Sequence, residues 1–246
     1  MMKDKYTIML PVHRGNLSLS NKCIQYLLDN CDLNIIVIDD NGSDEDYINN
    51  PRVSFIHNKT TERLPLVKIW NQCIKECPTE YVIIASWRQR PSVDHFKIID
   101  DKLSSGFGLV SFDGLHFFSF SKHLTTIIGF FDEGFTRGQY EDSDWWNRLR
   151  FNDIGIYVGD IPEERIVNST WIDPDNINKA YYSSKWTEDV LNKTLIQNKN
   201  ELNLNDRKIY DSLYEDRIYK KWSESELSEG LDNYFNNTFI NIIKNF

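Results

Sequence analysis

The stretch Asn34-Ile-Ile-Val-Ile-Asp-Asp-Asn-Gly-Ser-Asp44 is a short apolar run that ends abruptly in acidic and turn-forming residues. Apolar runs of this length, rich in β-branched side chains, are typical of strands buried on both faces of a parallel sheet. Three similar runs occupy residues 6–10, 53–56 and 81–85. The sequence therefore predicts a buried sheet, with polar segments such as Pro11-Val-His-Arg14 and Ser86-Trp-Arg-Gln-Arg-Pro91 following its strands.

The segments between these strands have a different hydrophobic period. Residues 17–29 and 66–76 carry apolar side chains at helical spacing, which indicates helices that cross over between parallel strands. The fold class is thus α/β, with a mostly parallel, Rossmann-like sheet flanked by helices. Ligands of such sheets bind beyond the carboxyl ends of the strands, so we expect the functional site there.

The pattern continues beyond residue 90 and then changes. It predicts a helix at 94–103, a hairpin of 107–112 and 116–120 about Asp113-Gly114, a helix at 141–150 with an acidic first turn, and a strand at 154–158. From about residue 171 the apolar stripes indicate only amphipathic helices. We therefore predict a sheet domain at 1–168 and a helical extension at 169–246.

Charge and hydropathy exclude several classes of protein. The 246 residues include 28 Lys and Arg against 37 Asp and Glu, which gives a formal net charge of -9 at pH 7. General binding to nucleic acid needs clustered positive charge, so it is not expected. No apolar stretch approaches membrane-spanning length and no export signal is visible, so a soluble, cytoplasmic protein is expected.

Four separated segments resemble the GT-A-fold glycosyltransferases of family 2. Ile8-Met-Leu-Pro-Val-His-Arg14 is similar to the family's opening strand, and Val37-Ile-Asp-Asp-Asn-Gly-Ser-Asp44 to its nucleotide-binding loop. Asn71-Gln-Cys-Ile74 with Glu80-Tyr-Val-Ile83 resembles the helix and strand that precede the family's metal motif. Gly129-Phe-Phe-Asp-Glu-Gly-Phe135 with Tyr140-Glu-Asp-Ser-Asp-Trp145 resembles its acceptor loop and Glu-Asp motif.

The resemblance implies transfer of a sugar from a nucleoside diphosphate sugar, most simply a UDP sugar, to a glycan acceptor. It places Asp40 on the nucleotide, with Asp39 as second candidate, and the alternative is that this loop is only a turn rich in turn formers. The predicted donor-binding residues also include the ends of the first and fourth strands: Pro11, Val12, His13, Arg14, Ser86, Trp87, Arg88 and Arg90.

The Glu-Asp motif implies the acceptor side of the site. Asp142 is the expected general base of an inverting reaction, and repulsion from Glu141 and Asp144 is expected to raise its pKa. Glu141, Asp144, Trp145 and Phe135 are the expected acceptor contacts, the tryptophan by stacking on a sugar ring. The alternative is that these carboxylates only complement a helix dipole.

The sequence departs from the family at its metal motif. Where the family has Asp-x-Asp for Mn or Mg, this chain has Trp87 and Arg88, neither of which can ligate a hard cation. The segment that corresponds to the family's later metal-binding His reads Arg165-Ile-Val-Asn-Ser-Thr170. We therefore expect no metal cofactor and a transferase in which Arg88 and Arg90 neutralise the diphosphate. The alternative is an inactive GT-A-fold module that binds nucleotide sugars or glycans.

Overall fold

A computed structural model describes residues 2–12, 17–39, 47–60, 64–135, 139–159 and 177–187 of the chain. The helices are α1 (Met2–Lys5), α2 (Leu17–Asn30), α3 (Leu66–Glu76), α4 (Val93–Ser104), α5 (Leu124–Ile128), α6 (Glu141–Phe151) and α7 (Ile177–Lys185). The strands are β1 (Tyr6–Val12), β2 (Asn34–Asp39), β3 (Val53–His57), β4 (Tyr81–Ala85), β5 (Leu109–Phe112), β6 (Phe117–Ser121) and β7 (Ile156–Gly159).

The strands form one sheet of seven, in the order β3-β2-β1-β4-β6-β5-β7. The first four strands in that order are mutually parallel, and β6 pairs antiparallel with both β4 and β5. The mostly parallel α/β sheet predicted from the sequence is confirmed. The crossover helices and the hairpin also lie where the hydrophobic pattern predicts them. Most of these elements begin and end within two residues of their predicted bounds.

The core lies on both faces of this sheet because successive strand residues point to opposite sides. One face packs against α3, α6 and α7, and the other against α2 and α4. The central strands contribute fully buried side chains to both faces, each worth about 1.5–3 kcal/mol of burial free energy. Met9, Ile84 and Phe118 lie on the first face, and Ile8, Ile83 and Phe117 on the second.

Helix α7 belongs to this core, although its residues fall within the extension predicted at 169–246. Tyr181, Tyr182 and the following Trp186 are at most 3% exposed and join the cluster formed with α6. The predicted boundary at residue 168 therefore separates α7 from side chains that it packs against. The later predicted helices lie outside the described residues.

Among the described helices, none combines the length and the apolar character that crossing a membrane requires.

Candidate active site at the carboxyl ends of the parallel strands

The carboxyl ends of β1, β2 and β4 meet at one edge of the sheet. Val12 at the end of β1 is paired in register with Asp39 at the end of β2. Pro11 is half-buried and Val12 is buried. Three predicted donor contacts at this edge, His13, Arg14 and Asp40, lie outside the described residues, so their roles stay predictions.

The Asp39 side chain faces the protein interior. It has no exposed surface, and its Oδ2 accepts a 2.7 Å hydrogen bond from the Tyr47 hydroxyl. His57 Nδ1 lies 3.9 Å from the same oxygen, and its ring stacks with Tyr47 and Phe55. This placement differs from the donor-binding role predicted for Asp39, because these contacts fix the end of β2 from inside.

The segment after β4 forms a tight turn attached to the neighbouring hairpin. The Ser86 carbonyl accepts a 2.9 Å hydrogen bond from the Gln89 backbone N–H, and the Ser86 N–H donates to the His116 carbonyl over 2.7 Å. The Gln89 side-chain amide donates to Asp113 at the hairpin turn over 3.1 Å. The backbone at the predicted phosphate site is therefore anchored at both ends of the turn.

The two arginines of this turn have different surroundings. The Arg90 guanidinium is buried, and its Nη1 donates 2.9 Å hydrogen bonds to the carbonyls of Trp87 and Gln89. Arg88 is partly exposed, and its guanidinium lies 5.0 Å from the centre of the Trp87 ring. Arg90 thus holds the turn in shape, which differs from its predicted role, whereas Arg88 lies partly at the surface of the same turn.

Asp142 lies in the first turn of α6 and is half-buried. Burial raises the pKa of its carboxyl above the ordinary 3.8, while a 2.7 Å hydrogen bond from the Ser143 N–H and the nearby His116 charge act in the opposite direction. The pKa of Asp142 is raised, as the sequence predicts, but the cause of the shift is not the predicted one. Desolvation, and not repulsion from Glu141 and Asp144, produces the shift.

Asp144 is fully buried in an ion-pair network. Its carboxylate lies 2.8 Å from Arg148 Nη2 and 2.7 Å from Lys185 Nζ, and it accepts a 2.8 Å hydrogen bond from the Trp186 indole. Burial by itself would raise the pKa of Asp144, but Arg148 and Lys185 outweigh it, so the pKa is lowered. The acceptor contact predicted for Asp144 is therefore replaced by a structural role.

The aromatic residues predicted to contact the acceptor are part of the core. Trp145 has no exposed surface and stacks on Phe131 with ring centres 4.4 Å apart. Phe135 is equally buried, with its ring centre 4.9 Å from that of Tyr181. Glu141 is 5% exposed. Because a sugar ring needs an open aromatic face to stack on, Trp145 and Phe135 do not fulfil the predicted role in this structure.

The backbone that leads into α6 is held in an unusual conformation. Gln139 and Tyr140 have φ angles of 90° and 69°, which non-glycine residues seldom adopt. Asn178 of α7 donates a 3.0 Å hydrogen bond to the Gln139 carbonyl. Such strain persists only where the surroundings enforce it and is concentrated at functional sites. Helix α7 therefore supports the turn from which Asp142 projects.

Helix α7 also packs closely on the loop before this turn. Lys185 Nζ lies 2.7 Å from Asp132 Oδ2, which also accepts a 2.8 Å hydrogen bond from Tyr181. A Cβ atom added to Gly134 would lie 2.6 Å from the Tyr181 ring. The loop, α6 and α7 thus form one packed unit around two buried carboxylates.

Substitution of Gly134 by alanine tests this close packing. We expect Gly134→Ala to lower the free energy of unfolding by about 1–3 kcal/mol, since Tyr181 must move to accommodate a methyl group. Gly155→Ala is the matched control, because its added Cβ would meet Phe107 at an ordinary 3.7 Å. Urea denaturation of both variants measures the difference, and equal stabilities would show that α7 does not pack as described.

Two residues near the site were not identified from the sequence. His116 lies opposite Ser86, and the register of the predicted hairpin could have indicated this position. Lys185 joins Asp132 to Asp144 across three segments. No local sequence pattern identifies that contact, because 41 positions separate Lys185 from Asp144 along the chain.

The described residues do not fit a divalent metal ion. At the end of β4 the side chains are Trp87 and Arg88, which provide no carboxylate oxygen for a hard cation. Within the described ranges, no three His, Cys, Asp or Glu side chains come together as a metal site requires. No step of the proposed chemistry is therefore assigned to a metal.

The fold is shared with solved structures of low sequence identity. No protein-family model matches the sequence, and no curated protein matches it. Mannosyltransferase PcManGT from Pyrobaculum calidifontis, solved with GDP-Man and Mn2+, aligns with a TM-score of 0.54 and 14% identity, over 85% of this chain and 68% of that one. TarS 1-349 from S. aureus aligns with a TM-score of 0.51 and 12% identity, over 96% of this chain and 78% of that one.

A protein of another class shares the architecture as well. The 4-diphosphocytidyl-2C-methyl-D-erythritolsynthase from Anaerococcus prevotii DSM 20548 aligns with a TM-score of 0.50 and 13% identity, over 73% of this chain and 96% of that one. Proteins that share a fold can catalyse different reactions, so these alignments do not establish a reaction. Together with the strand order and the crossover helices, they show that this chain has the GT-A fold.

Proposed function

We propose that the protein is an inverting glycosyltransferase that moves a sugar from a nucleoside diphosphate sugar to a hydroxyl of a glycan acceptor. The observation that carries this proposal is Asp142. It is a half-buried carboxylate with a raised pKa, placed by a strained turn near the edge where the parallel strands end. A raised pKa brings a carboxylate closer to the range in which it accepts protons efficiently at neutral pH.

The proposed reaction has one proton transfer and one displacement. Asp142 accepts the proton of the acceptor hydroxyl while the acceptor oxygen attacks the anomeric carbon of the donor sugar. The bond from that carbon to the diphosphate oxygen breaks, and the nucleoside diphosphate leaves with the bonding electrons. The base must approach from the face opposite to the leaving group, so the anomeric configuration inverts.

The departing diphosphate needs positive charge, and Arg88 is the proposed source. Its guanidinium can donate two parallel hydrogen bonds to phosphate oxygens, which a metal ion would otherwise contact. The Ser86 to Gln89 hydrogen bond and the buried Arg90 side chain hold the turn that presents Arg88. Preorganised charge of this kind stabilises a transition state without reorganisation during the reaction.

The transfer of sugar from UDP and GDP sugars tests this function. We expect activity to survive EDTA and to fall roughly 10-fold to 100-fold in Arg88→Ala, since a hydrogen bond to a charged group contributes about 1.5–3 kcal/mol. Lys5→Ala is the matched control, because Lys5 is exposed at the amino end of β1, on the opposite edge of the sheet. Loss of activity in EDTA would contradict the metal-independent reaction.

Two other results would favour other functions. Nucleotide-sugar binding without transfer to any acceptor would identify an inactive binding module. A nucleotidyltransferase, the class to which the diphosphocytidyl synthase alignment points, would instead consume a nucleoside triphosphate and release pyrophosphate. We do not favour it, because the chain carries no glycine-rich phosphate loop after the first strand.

A further inference from the structure

The hairpin of β5 and β6 places a histidine, His116, beside the turn that carries Arg88. In the β4–β6 ladder Ala85 is paired with Phe117, and the Ser86 N–H then donates to the His116 carbonyl over 2.7 Å. The antiparallel pairing thus continues one residue beyond β4. His116 consequently lies directly opposite the first residue of the Ser86 to Gln89 turn.

The position of His116 is fixed by its neighbours along the chain. Leu115 and Phe117 are buried, at 5% and 0% exposure, whereas His116 between them is exposed. The hairpin turn has Asp113 and Gly114 at φ angles of 50° and 67°. The Gln89 amide bonds the Asp113 carboxylate over 3.1 Å. Two hydrogen bonds therefore hold the His116 segment and the Arg88 turn together. This arrangement favours fixed relative positions of His116 and Arg88 before a ligand binds.

His116 also lies close to the proposed base. In its protonated form the imidazole lowers the pKa of Asp142, against the larger effect of burial. His116 is thus adjacent both to the strand end where the donor is expected and to the residue that activates the acceptor.

On the basis of the transferase function above, we propose that His116 is a donor-binding residue that contacts the diphosphate, together with Arg88, across the junction of β4 and β6. An imidazole ring carries an N–H donor in its neutral form and two in its charged form. The contact therefore does not depend on a change of protonation. It adds a second donor to the one that Arg88 is proposed to supply.

Calorimetric titration of the full chain with UDP and GDP, and with uridine and guanosine, tests the assignment. We expect His116→Ala to weaken binding of the preferred nucleoside diphosphate about 10-fold or more, with an unchanged affinity for the nucleoside. His116→Gln retains a neutral donor, so a smaller loss is expected. The control is His123→Ala, since His123 is exposed just beyond the other end of β6, about 16 Å along the strand.

Each other outcome has a definite meaning. Unchanged diphosphate affinity in His116→Ala, with wild-type transfer or with a lower turnover rate, would overturn the assignment and leave the transferase function intact. If His116→Ala weakens the binding of the nucleoside as much as that of the nucleoside diphosphate, the assignment is also overturned. The substitution would then have changed the site in general and not a contact to the diphosphate. If wild-type protein binds no nucleotide and transfers no sugar, the proposed function fails and the assignment fails with it.

Discussion

Replacement of Asp142 by asparagine is expected to lower the rate of sugar transfer by about 10²–10⁴-fold, with nucleotide binding retained. The amide has nearly the shape of the carboxylate and can still accept the Ser143 hydrogen bond, but it cannot accept the acceptor's proton. Transfer assays and nucleotide titration on the same preparations separate the two effects. Asp153→Asn is the matched control, because Asp153 is exposed just beyond the end of α6.

The same substitution is expected to leave the protein as stable at pH 7 as the wild type, or more stable. The raised pKa of Asp142 means that the folded state binds the proton more tightly than the unfolded chain. Its contribution to stability is complete below the ordinary value of 3.8 and is lost as the pH rises through the folded pKa. Asparagine never ionises, so it avoids that loss. Lower stability together with lower activity would indicate a structural role.

The pH profile of the wild-type enzyme gives a further test of Asp142. Since the base must be ionised, activity should decline as the pH falls through its raised pKa, at a pH above the ordinary 3.8. If the residual activity of Asp142→Asn falls with pH in the same way as that of the wild type, a group other than Asp142 causes the decline.

Replacement of Lys185 by methionine is expected to lower the free energy of unfolding by about 3–5 kcal/mol. Lys185 is 2% exposed and lies 2.7 Å from a carboxylate oxygen of both Asp132 and Asp144. Methionine fills similar space without charge, so two buried carboxylates lose a shared cation. Asp144 retains Arg148, whereas Asp132 retains the Tyr181 hydroxyl. Urea denaturation at pH 7 measures the loss.

An exposed pair provides the control for this substitution. Lys97 lies 2.9 Å from Asp94 on the surface of α4, where water screens the interaction, so Lys97→Met should not change stability measurably. The pH dependence gives a second test. The lowered pKa of Asp144 contributes stability above the ordinary value of 3.8, and this is lost as the pH falls through the folded pKa. The acid sensitivity should therefore be smaller in Lys185→Met than in the wild type.

The sequence predicts the sheet well because strands buried on both faces have a strong local signal. The apolar runs of β1, β2 and β4 and the helical spacing of α2 and α3 can be recognised without knowing their neighbours. The helix that carries Asp142 is also predicted from a local pattern, since an acidic first turn is typical of a helix start. The raised pKa of Asp142 is predicted in the right direction but for the wrong cause, because burial depends on the surrounding fold.

The role of each polar or aromatic residue near the site depends on which way its side chain points. Arg88 and Arg90 are two positions apart, yet one lies at the surface and the other bonds the carbonyls of its own turn. Asp142 and Asp144 are equally close in sequence, and only the second joins the buried network with Lys185. Burial and long-range ion pairs are properties of the packed chain, so residue type alone does not reveal them.

The sequence by itself therefore determined the α/β class, the edge of the sheet that carries the candidate site, and the absence of carboxylates from the turn after β4. The hydrophobic period and the residue types are local, and they carry that information directly. Only the tertiary structure decided that α7 completes the core, that Trp145 and Phe135 are buried, and that His116 lies opposite Ser86. Those facts arise from contacts between segments distant in sequence, which form when the chain buries its apolar surface.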